Sequence, residues 1–199
     1  NQESMVNPQQ PIAGYPNFNA PVELIDDIAR AGFNLVSIAN NHALDSYEEG
    51  FLATASYWAK HWPEVAVSGK WAENPATSIE LIRVHGIDIS FAAFTYDGNE
   101  NFSQAESLMR IDSPEFDRAI KAVCAQGDIN IVSLHTGIED STEITPADRD
   151  LAQKMLDAGV EIVLMHHSHV LKNIELTKNS QGNDALVIYS LGNFLHTQL

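Results

Sequence analysis

The sequence predicts a mixed α/β domain in which helices pack on sheets. Three observations carry this. Helical and strand-like periods follow one another as helix, strand, helix, hairpin, helix, strand, helix, strand, hairpin. Three short apolar runs, at 34–39, 129–134 and 161–165, are bounded by turn residues as buried strands are. Finally, 44% of the 199 residues are hydrophobic, which is enough for one sizeable core and one domain over 1–199.

The first twenty residues carry Pro8, Pro11, Gly14 and Pro16 and read as an irregular segment. Pro21 opens a helix, as proline does at a first helical position, with Leu24, Ile25, Ile28 and Ala29 on its apolar stripe and Gly32 after it. A strand at 34–39 follows. The next helix, about 46–60, begins at Ser46 with Glu49 three residues on, the pattern of a capping box. Phe51, Leu52, Ala55 and Trp58 form its stripe. Segments 77–85 and 87–94 flank Gly86 and read as a hairpin, and 95–112 reads as a polar loop. Ser113-Pro114 starts a third helix that runs to about Ala125, before the strand at 129–134. Thr145-Pro146 starts a fourth, with Asp148 and Asp150 in the first turn, where acids suit the helix dipole. Gly159 closes it. After 161–165 comes a last hairpin, 171–177 and 185–189, joined through 179–183.

The formal net charge is −16, from 27 acids and 11 bases. Nucleic-acid binding needs Lys and Arg to displace phosphate counterions, so it is excluded as a function class. An anionic substrate needs a local positive centre on such a chain. No apolar run approaches the roughly 20 residues of a membrane span. The first residues show no charged start followed by an apolar stretch, so no signal peptide is expected. The chain does not begin with Met and stops soon after a strand-like segment, which reads as a fragment. One cysteine, Cys124, excludes an internal disulfide and falls in an apolar helical pattern.

Polar residues cluster behind the three predicted buried strands. Asn40, Asn41 and His42 follow the first, His135 the second, and His166, His167 and His169 the third. Strand ends are where side chains converge above an α/β sheet. On an extended backbone His167 and His169 face one side and His166 the other. Two readings fit the histidines alone: a metal site, or a solvated polar turn after a core strand. Imidazole with amide oxygen and carboxylate suits Zn, Fe, Mn or Ni better than a thiolate-seeking metal. Two such metals, bridged by a carboxylate, are the usual apparatus of phosphoester hydrolysis, and a free histidine beside them can protonate the leaving group. Trp58, Trp62 and Trp71 read as core or loop anchors rather than a sugar platform. His61, His85 and His196 lie apart from the cluster.

Four segments match one family in order and spacing: Ala39-Asn-Asn-His-Ala-Leu-Asp45, His135-Thr-Gly-Ile-Glu139, His167-Ser-His-Val170 and Tyr189-Ser-Leu-Gly-Asn-Phe194. Together they resemble the CapA family of bacterial poly-γ-glutamate capsule synthesis proteins, a branch of the calcineurin-like metallophosphoesterases. The resemblance implies a metallophosphoesterase-like four-layer sandwich, two mixed β-sheets flanked by helices. It implies Asn41, His135 and His167 on one divalent metal (Mn, Fe or Zn) and His169 on a second. Glu3, in Asn1-Gln2-Glu3, would be the bridging carboxylate. His42 would be the acid or charge-stabilising imidazole and Asp45 would orient it. Glu139 and Asn193 would face the substrate.

The family's strand ending in Gly-Asp has no counterpart before Glu3, so the fold is expected to lack its first strand unless another chain supplies it. One metal is then held well and the other poorly, or neither is held. Asn40-Asn-His-Ala43 also lacks the acid that usually follows the phosphoesterase histidine. Two functions remain open. One is a metal-dependent hydrolase acting in synthesis, release or anchoring of poly-γ-glutamate or a related anionic envelope polymer, with that polymer or a small phosphoester as substrate. The other is a non-catalytic polymer-binding or assembly subunit of an envelope complex with a degenerate metal site. Either implies the bacterial envelope or an extracytoplasmic location.

Overall fold

The period-two alternation of β4 (Ile87–Thr95) decides how the layers stack. A computed structural model describes residues 1–72, 74, 77–99 and 106–195. His196 and part of the 95–112 loop lie outside these. Along β4, Phe91 and Ala93 face one core while Ala92 and Phe94 face another. The strand is therefore buried on both faces, and a helix or sheet must cover each.

The large sheet has the order β3-β4-β5-β6-β8-β7, with β3 (Glu80–Val84), β5 (Ile129–His135), β6 (Ile162–His166), β7 (Ile174–Lys178) and β8 (Asp184–Ile188). β4, β5, β6 and β8 are parallel, and the antiparallel β3 and β7 form the edges. On one face pack α3 (Phe116–Gln126) and α4 (Pro146–Ala158), through Phe116, Ile120, Val123 and Met155. On the other lies a parallel pair, β1 (Leu35–Ser37) and β2 (Ala66–Ser68), with α1 (Glu23–Arg30) and α2 (Tyr47–His61) beyond it. Phe51 and Trp58 of α2 are wholly buried there. The four expected layers are present.

The smaller sheet covers only part of the larger one. Beyond β6 the same inner face continues onto β7, where Ile174 and Leu176 are 64% and 85% exposed.

The tryptophans act as anchors. Trp58 donates its indole N–H to Gln2 (2.8 Å) and holds the N-terminal segment against α2. Trp62 donates to Asp26 (2.8 Å) and ties α2 to α1. Trp71 packs its edge on Phe94. Cys124 is half-buried, and burial pushes its thiol up to about 11.

Helix ends show where local signals hold and where they yield. At α4, Thr145 and Asp148 exchange both bonds of a capping box. The box expected at α2 does not form: Ser46 makes no cap bond, and its Oγ is buried without a hydrogen-bond partner. Asp45 is drawn onto His42, and Tyr47 takes a positive φ of 62° to turn the chain into the helix, so Ser46 is not in N-cap geometry. The first hairpin turns through His85 and Gly86, both at positive φ as a type I′ turn requires.

Gly69, just after β2, has φ +136°, and a Cβ there would lie 2.6 Å from the backbone N of Ala39. That contact fixes the turn leading to Asn40, Asn41 and His42. Gly69→Ala is expected to lower stability by about 3 kcal/mol, from backbone strain and overpacking together, as read from urea unfolding midpoints.

Candidate metal centre

Register brings the site together before any side chain is considered. Thr95 of β4 pairs with His135 of β5, and His135 with His166 of β6. Parallel strands that end in line place the residues that follow them around one pocket.

His166 therefore shares the face of His135, contrary to the expectation that it turns away. It stays out of the cluster for another reason. It is almost fully buried, and its Nε2 meets Ser133 Oγ at 2.9 Å, back along the sheet. His167 and His169 are not on extended backbone either. Both have positive φ, 80° and 58°, so a left-handed turn swings their rings toward β5. Their ring centroids are 6.3 Å apart, and those of His167 and His135 are 4.8 Å apart.

Three donor atoms crowd one point. His135 Nε2 is 2.8 Å from Asn41 Oδ1 and 3.1 Å from His167 Nδ1. Donors bound to a cation at about 2.1 Å lie roughly 3 Å apart at adjacent octahedral positions and a little further apart at tetrahedral ones. The spacing fits a divalent ion with nitrogen and oxygen ligands. A second group is looser. Glu139, His167 and His169 bring one donor atom each within 4.8 Å of one another, with Glu139 Oε1 3.9 Å from His167 Nε2. Glu139, expected to face substrate, thus stands among the donors.

Glu3 lies 3.6 Å from His169 Nε2 and 3.8 Å from His135 Nδ1. The second nitrogen is the one turned away from Asn41 and His167, so Glu3 does not sit between the two donor groups. The Asn1 amide nitrogen lies 3.2 Å from the same His135 Nδ1 and donates to Glu3 (2.8 Å). Asn193 accepts from His169 Nδ1 at 2.8 Å. That fixes the tautomer, with the proton on Nδ1 and the Nε2 lone pair on the side of Glu3.

His42 sits beside this group. Its Nδ1 is 2.6 Å from Asp45 Oδ2, which also accepts the backbone N–H of Phe18 at 2.8 Å. The Asp45 carboxylate is fully buried. Phe18 packs edge-on against the imidazole at 4.6 Å. Asn99 was not singled out by sequence reasoning, yet it holds this corner. Its N–H donates to the Asn41 carbonyl (2.8 Å), its Oδ1 accepts from Asn41, and its Nδ2 reaches both His42 nitrogens. Its one sequence signal was its place shortly after β4, a fourth strand end.

Burial denies the His135 ring charge its hydration and holds the imidazole well below the ordinary 6.5, and neighbouring His167 adds to this. Burial lowers His167 as well. Both rings are neutral near pH 7, the state a cation needs. The unfolded chain takes up protons at these rings near pH 6.5 while the folded chain does not. Stability of the metal-free protein is therefore expected to fall as pH drops below about 6.5, by up to about 1.4 kcal/mol per pH unit for each ring. Urea unfolding across that range measures it, and His135→Gln is expected to make the slope shallower.

The four-layer α/β sandwich, with histidine, asparagine and carboxylate side chains at its strand ends, is a metallophosphoesterase-like fold. In fold it resembles the Haemophilus influenzae NAD nucleotidase NadN, with a TM-score of 0.50 and 14% identity over 82% of this chain and 35% of that one. Residues 1–198 match the model of the bacterial capsule synthesis protein family PGA_cap, and the chain belongs to that family. It is 30% identical to the PGA biosynthesis protein CapA of Bacillus subtilis (strain 168), over 83% of this chain and 43% of that protein. It is 26% identical to the capsule biosynthesis protein CapA of Bacillus anthracis, over 92% of this chain and 44% of that protein. The chain thus spans less than half the length of these relatives.

Proposed function

We propose that this domain is a metal-dependent hydrolase of a phosphoester, or of another anionic ester or amide, acting on a capsule polymer such as poly-γ-glutamate at the cell envelope. The observation that carries the reading is the convergence of Asn41 Oδ1, His135 Nε2 and His167 Nδ1 within 3.1 Å steps, beside a His42–Asp45 pair. Mn, Fe or Zn suits these donors. Such an ion supplies charge to hold the anionic ester and to acidify water. The chain's own residues do the rest. Asp45 keeps a proton on His42 Nδ1, so Nε2 is the nitrogen that carries a proton to the leaving oxygen. Phe18 covers one edge of that ring and keeps water from it. Asn99 holds Asn41 and His42 in one frame.

A second reading has its own support. The contacts of the second group, Glu139 to His167 at 3.9 Å and Glu3 to His169 at 3.6 Å, are looser than those of the first. A protein with one well-formed site suits polymer binding or assembly within an envelope complex. One experiment separates the two. Purified protein with added Mn²⁺ or Zn²⁺ is expected to hydrolyse generic phosphoesters, and chelation to stop it. Retention of polyglutamate with no metal-dependent turnover decides for the binding subunit.

A further inference from the structure

Beside the donor groups lies a cavity of about 490 Å³. His169 and Asn193 line it on the metal side, and Val170, Leu171 and Leu191 give it apolar walls. Among the described residues that line it, the one acid is Asp140, and there is no lysine or arginine.

The walls are built rather than incidental. Leu171 and Leu191 face each other across an isolated antiparallel bridge. Gly192 between Leu191 and Asn193 has φ +65°, and a Cβ there would lie 3.2 Å from Leu171 Cδ2 and 3.3 Å from Leu171 N. A larger residue there would be strained at this φ and would press on Leu171, so glycine lets the leucine lie against the chain. The Asp140 N–H donates to the Ser168 carbonyl at 3.0 Å and ties the far wall to the histidine turn. Yet Leu171 is 74% exposed and Leu191 44%. A lone exposed leucine needs no explanation, but two held opposite each other beside a candidate metal ligand offer a seat for an apolar group.

We propose that this cavity seats an uncharged apolar group of the substrate, alkyl or aromatic, attached next to the group that the metal centre holds. The inference rests on the metal-centre reading and narrows its substrate. A carboxylate-bearing group in the cavity would meet Asp140, with Glu139 and Glu3 close by, and no basic side chain among the described residues that line it. The bond cleaved is then one that joins the anionic part of the substrate to an apolar part, not one between two repeating acids.

Calorimetric binding of a phosphonate series to the Mn²⁺-loaded chain tests this: methyl-, propyl-, benzyl- and 2-carboxyethylphosphonate. Benzylphosphonate is expected to bind about tenfold more tightly than methylphosphonate, from the apolar area it buries. The carboxyethyl compound is expected to bind more weakly than the propyl one. Leu171→Ser, and separately Leu191→Ser, are expected to remove most of the benzyl advantage. Metal-dependent binding with equal affinities along the series, or with the carboxyethyl compound tightest, overturns the cavity assignment and leaves the metal centre standing. No metal-dependent phosphonate binding at all overturns both.

Discussion

Replacing His167 with alanine is expected to lower affinity for Mn²⁺ or Zn²⁺ by more than about 100-fold, and to end metal-dependent phosphoester turnover. The reason is its place. His167 Nδ1 completes the group with Asn41 and His135, and its Nε2 faces Glu139 in the looser group with His169. Loss of one ring takes a donor from either arrangement. His169→Ala removes a donor from the second group only, so its effect on the tightest-bound ion is expected to be smaller. Glu139→Gln keeps the size of the side chain but loses its charge and is expected to resemble His169→Ala. Metal titration followed by calorimetry ranks the three variants. Equal affinity for wild type and His167→Ala would show that the imidazoles of 135, 167 and 169 share no cation, and the hydrolase reading would go with it.

Much of this was legible because long patterns survive tertiary context. α2, α4, β4 and β5 carry many residues that agree on one period, and all lie near where the sequence places them. β2 was not legible, since Ala66–Ser68 is too short to show a period and exists because β1 pairs with it. Ser46 gave a false capping signal because another local bond, His42 to Asp45 three residues apart, and the positive φ of Tyr47 shape the helix entry instead. The site divides in the same way. That strand ends bring Asn41, His135 and His167 together follows from sheet topology, which the element order implies. How His167 and His169 converge does not follow, since it depends on two left-handed backbone residues that no spacing rule marks. Asn99 and the position of Glu139 depend on how loops fold back, and loop geometry is the least local part of a sequence.

Asp45→Asn is expected to cut turnover by about 10²–10⁴-fold on esters with poor leaving groups while leaving metal affinity near that of wild type. The carboxylate sits 2.6 Å from His42 Nδ1 and fully buried, so its charge stabilises the imidazolium in a medium that screens little. An amide keeps the shape and can still accept the Phe18 N–H, but it has no charge to give. It can also turn its NH₂ toward His42 and move the ring proton to the wrong nitrogen. If His42 protonates the leaving oxygen, the loss must depend on that oxygen. A nitrophenolate leaves without a proton, so the deficit of Asp45→Asn, and of His42→Asn, is expected to shrink on nitrophenyl esters and to be large on alkyl esters. Folding is a separate matter: Oδ1 of Asp45 has no hydrogen-bond partner in its buried setting, so asparagine is expected to be tolerated better than alanine in urea unfolding. A deficit of equal size on both classes of ester would mean that the pair only shapes the pocket, and the proton would have to come from elsewhere.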